Sequence, residues 1–97
     1  MEEKLNHMME FYSEALDELM GAQEYAKRAH HESKPDVRAI YIRMSRQELE
    51  HAEGLKTLGE QMAKTDPMLA IVWNKLCEHL NDWHKSILEM LKTAETR

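Results

Sequence analysis

The sequence predicts an all-α chain of three antiparallel helices. Three observations carry that prediction. Apolar residues recur in alternating steps of three and four along almost all of its 97 residues. The chain has only three glycines and two prolines, whereas an all-β domain needs a turn signal every ~8–12 residues. The two prolines also divide the chain into three segments of similar length, with no low-complexity linker between them.

Each helix follows from its boundaries and its stripe. The first is expected over about residues 3–31, with Leu5, Met8, Tyr12, Ala15, Leu19, Ala22, Ala26 and Ala29 in one seam. Those residues shrink toward the C-terminal half, so a neighbouring backbone can approach closely there. His30 and His31 suit the negative end of that helix. Ser33-Lys34-Pro35-Asp36 reads as a helix start with Ser33 as N-cap, opening a second helix over about 36–63. Asp66-Pro67 opens a third over about 67–94, with Asp66 capping and Pro67 in the first helical position. Its stripe of Leu69, Trp73, Leu76, Leu80, Trp83, Ile87, Met90 and Ala94 is unbroken. Connections this short make sequential neighbours antiparallel.

Composition bounds the function. Hydrophobic residues are 42% of the chain and charged residues 32%, the balance of one small globular domain over residues 1–97. Thirteen basic against eighteen acidic residues give a net charge of −5, which argues against nucleic-acid binding. Lys27, Arg28, Arg38, Arg43 and Arg46 are interleaved with acids and read as a solvated surface. A single cysteine excludes an internal disulfide framework, and Cys77 reads as a small buried hydrophobe. No apolar run approaches the ~18 residues of a membrane span, and the N-terminus has no signal-peptide pattern. A soluble, cytoplasmic protein without membrane or nucleic-acid partners is the expectation.

The second helix is the informative one. Its seam reads Val37, Tyr41, Met44, Glu48, His51, Leu55, Leu58 and Met62, so two ionisable residues interrupt an apolar stripe. A buried unpaired carboxylate costs several kcal/mol, so something must satisfy this pair. Glu48 and His51 are three apart and share a helix face, the spacing with which one helix offers a carboxylate and an imidazole to one metal ion. A turn centred near residues 33–34 places Glu18 in their layer, with Gly21 and Ala22 leaving room around its carboxylate. Glu14 is the second candidate on the first helix, and Glu24 is expected to pair with Arg43 at the surface.

The segments Glu18-Leu-Met-Gly21-Ala-Gln-Glu-Tyr25 and Gln47-Glu48-Leu49-Glu50-His51-Ala52-Glu53 resemble the metal-binding helix pair of the ferritin-like superfamily, nearest to rubrerythrins and encapsulated ferritins. The resemblance spans roughly residues 11–62: a glutamate on one helix, then Glu-x-x-His on the next, with Gly21 and Tyr25 matching as well. It implies a di-iron site of Glu18, Glu48 and His51, with Tyr25 or Glu14 orienting the ligands. Full-length members hold two such half-sites in one chain. Here the third helix has no second Glu-x-x-His, since Glu78 and His79 are adjacent and His79 and His84 are five apart. Encapsulated ferritins resolve that shortfall by pairing two chains. The resemblance therefore implies two hairpins about a two-fold axis, completing a four-helix bundle around two metal ions per dimer.

A dimer is also expected on physical grounds, because three helices cannot cover every apolar stripe and two tryptophans on the third call for burial. The expected function is oxidation of Fe(II) by dioxygen or peroxide, for iron handling or oxidative-stress protection, with Zn or Mn as possible substitutes and a storage shell as a possible partner. The chain ends without an obvious targeting extension of the kind encapsulated members carry. The competing expectations are a non-catalytic helical interaction module that uses the third-helix stripe, and a redox-inactive metal-binding relative.

Overall fold

A computed structural model describes residues 2–97. Three α-helices, α1 (Glu2–His31), α2 (Pro35–Ala63) and α3 (Pro67–Glu95), run antiparallel in sequence order, with no strand among the described residues. A helix of thirty residues is about 45 Å long, and the molecule measures 50 × 17 × 14 Å. It is therefore a rod one helix long and two helices wide. No described helix is long and apolar enough to cross a membrane.

The prolines set the helix starts in different ways. Asp66 caps α3, its Oδ1 accepting from the Met68 amide at 2.8 Å with Pro67 beginning the helix. At α2 the expected cap is displaced: Lys34, not Ser33, occupies the N-cap position, and its side chain makes no cap bond. Pro35 takes the first helical position, which forces the residue before it into extended backbone and leaves Ser33 one residue too early. Arg38 ties down the turn instead. Its Nε donates to the Glu32 carbonyl at 3.1 Å and its Nη2 to that of Ser33 at 3.3 Å, which satisfies two carbonyls of the α1–α2 turn.

α3 lies in the groove of the α1–α2 hairpin. One core cluster joins Ala15, Leu19, Leu49, Leu80, Ile87 and Leu91, and a second at the far end joins Met8, Ala63, Leu69, Trp73 and Cys77. The α3 stripe is thus covered within the chain: Trp73 is 1% exposed and wedged against Gly59, while Trp83 donates from Nε1 to Gln23 at 2.6 Å. Trp73 is thus buried within the chain and Trp83 half-buried. Cys77 is buried, and burial pushes its thiol pKa up.

α2 does not present its expected seam to this core. Its buried residues are Ser45, Leu49, Ala52, Gly59 and Ala63, one position round from the larger apolar stripe. Mostly small, these residues admit close neighbours on two sides. Ser45 Oγ donates to the Ala22 carbonyl at 2.7 Å, and a Cβ on Gly59 would lie 2.1 Å from Cζ2 of Trp73. Because α1 and α3 both press on this narrow face, the larger stripe is left half-covered on a flank of the rod.

Candidate metal centre

That flank carries the polar pair. Glu48 is half-buried and His51 exposed, so neither is sealed in a core as the sequence pattern suggested. Glu18 reaches them from mid-height on α1. One ligand atom from each of Glu18, Glu48 and His51 lies within 4.8 Å of the other two. Nδ1 of His51 stands 3.4 Å from Oε2 of Glu18, with side-chain exposures of 60% and 29% respectively. The cluster borders a cleft of about 670 Å³ lined by Glu14, Asp17, Gly54, Leu55 and Leu58.

Local packing holds the two carboxylates close. A Cβ on Gly21 would stand 3.0 Å from Oε2 of Glu48, so the absence of a side chain there gives this carboxylate its place. The expected room beside Gly21 exists, but Glu48 fills it rather than Glu18. Crowding has an electrostatic consequence. The Glu48 pKa is raised, first by hydrogen bonding to Glu18, then by desolvation and by the Glu18 charge, with His51 opposing. A cation between the carboxylates would relieve that repulsion.

The donors are two carboxylates and one imidazole, a hard oxygen and nitrogen set that suits a first-row divalent ion and leaves coordination positions for water or a further protein ligand. The residues present therefore fit a metal ion of the kind the resemblance implies.

The remaining candidates take plainer positions. Tyr25 stacks on Tyr41 with ring centroids 6.4 Å apart, and the Arg28 guanidinium lies 5.9 Å from its ring. Glu14 lines the cleft one turn from Glu18. Glu24 pairs with Arg28 at 3.4 Å instead of Arg43, since a partner four residues along its own helix is nearer. His84 bonds Glu53 across α2 and α3 at 3.2 Å, and His79 packs beside Trp83. Two features were not anticipated. Asp17 joins the cleft, for which the acidic run from Glu14 to Glu18 was the available signal, and Tyr41 partners Tyr25, which their near-equal distances from the turn could have indicated.

Fold and site together define a three-helix protein that displays a carboxylate–imidazole cluster on an open helical face. Comparison of the chain with protein-family models, curated proteins and solved structures gives no match.

Proposed function

We propose that the chain is an iron-binding protein of ferritin-like type, acting as a homodimer or higher homo-oligomer, with Glu18, Glu48 and His51 of each chain contributing to a two-iron site that oxidises Fe(II) with dioxygen or peroxide. The observation that carries the proposal is the convergence of these three donors from two helices on a flank that α3 leaves open. The resemblance in segments 18–25 and 47–53 supplies iron as the ion, and Zn or Mn would use the same donors. A ferrous substrate fits a reducing, cytoplasmic compartment, and a storage shell is a fitting recipient of the oxidised product.

The chain's own residues do three things. Glu18 and Glu48 provide oxygens whose mutual repulsion favours a cation between them, and Glu48 must release its proton for that cation to be held. His51 provides a nitrogen and, being exposed, can turn toward an arriving ion. The acidic cleft of Glu14 and Asp17 draws cations toward the cluster. Iron bound there supplies the electron exchange with the oxidant. The alternative of α3 as an interaction helix has less support, because most of its stripe is buried inside the chain and Leu76, Trp83 and Met90 are half-buried.

Anaerobic titration of ferrous iron into metal-free protein, followed by air, tests the proposal. The expected result is saturation near one iron per chain and an oxidised-iron absorption band on admission of air. Glu48→Ala and His51→Ala should each abolish tight binding while preserving helicity, and Glu14→Ala should be milder than Glu18→Ala. Full binding by either of the first two variants would place the site elsewhere.

A further inference from the structure

Charge is divided along the rod. Residues 22–46 and 91–97, the end that holds the α1–α2 turn and the C-terminus, carry eight of the thirteen lysines and arginines but only four of the eighteen acidic residues. That end has a net charge of +4, and the rest of the chain −9. The overall −5 hides the division, and a partner meets the local field rather than the sum.

At this end the seam between α2 and α3 opens into two cavities. The upper, of about 390 Å³, is lined by Arg38, Ala39 and Ile42 of α2 and by Ala94 of α3. The lower, of about 340 Å³, is lined by Leu49 of α2 and by His84 and Leu88 of α3. Arg46 borders the lower and Glu95 the upper, and their ion pair clasps the two helices between them. The cavities form one groove from Pro35 to Glu53 along α2, about 27 Å long at 1.5 Å per residue. Its floor is aliphatic, with Leu88 41% exposed.

The rims are basic. Arg43 stands one turn from Ala39 and from Arg46, and Lys92 one turn from Leu88 and from Glu95. Both are exposed, and among the described residues no carboxylate pairs with either. The acids of the groove are largely satisfied from within: Glu95 by Arg46, and Glu53 by Lys56 at 3.2 Å and His84 at 3.2 Å. Only Glu50, at the lower end, is left over.

The geometry points to a docking site: this groove takes an acidic amphipathic helix of a partner protein. An aliphatic floor between basic rims complements a helix whose apolar stripe is bordered by glutamates or aspartates. A flat lipid surface would meet the rims without reaching the floor. A nucleic acid would leave the floor unused, and no Phe, Tyr or Trp lines either cavity to stack a base. The groove lies on a different flank from Glu18, Glu48 and His51, so it stands without the metal-binding reading.

Fluorescence anisotropy with the full chain tests the inference. The probe is a labelled peptide of about 18 residues, the length that spans the groove as a helix, with leucines at steps of three and four and glutamates elsewhere. Saturable binding that weakens with salt is expected, with amide NMR shifts at Ile42 and Leu88. The double variant Arg43→Glu/Lys92→Glu should weaken it by about tenfold. Leu88→Ala should also weaken it, with helicity retained, while Lys75→Glu at the opposite end should not. No saturable binding, equal binding of a peptide with lysines for glutamates, or full binding by the double variant would overturn the site. Capture by phosphatidylserine vesicles in place of the peptide would overturn it in favour of a lipid surface. A mass that grows with concentration for the chain alone, and not for the double variant, would overturn it in favour of a second copy.

Discussion

The two faces of α2 differ more than their sequences suggest. The inner face, Ser45, Leu49, Ala52, Gly59 and Ala63, is built mainly of small residues and is buried, whereas the outer face has the bulkier Tyr41, Met44, Leu55 and Leu58 and stays half-open around Glu48 and His51. Burial here follows fit to two neighbouring helices, not side-chain hydrophobicity. The small residues allow α1 and α3 to approach together, and dispersion contacts grow with that closeness. The outer face keeps the apolar area and the ionisable groups that the inner face has no room to hold.

If that contrast is right, substitutions on the inner side disturb stability and those on the outer side disturb chemistry. The largest effect should come from Trp73→Ala, which empties the wedge against Gly59 and should cost about 3–5 kcal/mol in urea unfolding. Gly59→Ala attacks the same contact from α2. Its Cβ would overlap the indole ring, and the expected cost is about 1–3 kcal/mol. Ser45→Ala removes only the bond to the Ala22 carbonyl, so its midpoint should fall by the equivalent of about 1 kcal/mol.

The smallest effect, of opposite sign, is expected on the outer face. Because the Glu48 pKa is raised in the folded chain, folded protein holds more protons than unfolded protein above pH 4.5, and metal-free stability should fall as pH rises through the raised value. Glu48→Gln removes that decline. The metal-free variant should be more stable than the parent at neutral pH and lose the advantage below the ordinary carboxylate pKa. Equal stability at both pH values would mean the carboxylates are not in tension.

Much of the fold was legible because its signals are local. Pro67 with Asp66, and the three-four spacing of α3, fix boundaries without reference to anything distant. The Ser33 cap was misplaced because the sequence offers a good capping residue while the proline selects its own predecessor, Lys34. The turn of α2 about its own axis was not legible. Two stripes one position apart compete, and Trp73 against Gly59 decides between them from another helix. The Glu18–Glu48–His51 grouping could be read from spacing and hairpin register, since a mid-helix contact tolerates an error of a residue or so at the turn. Its exposure could not, because that depends on which α2 face α3 leaves uncovered.

The central claim, one cation held by Glu18, Glu48 and His51, is tested most directly by imidazole nitrogen NMR during a zinc(II) titration of metal-free protein. The chain has six histidines, and the account predicts that His51 alone shifts to metal-bound values, completely by one equivalent per chain. An unmoved His51, or uptake at His30 and His31 instead, would contradict it.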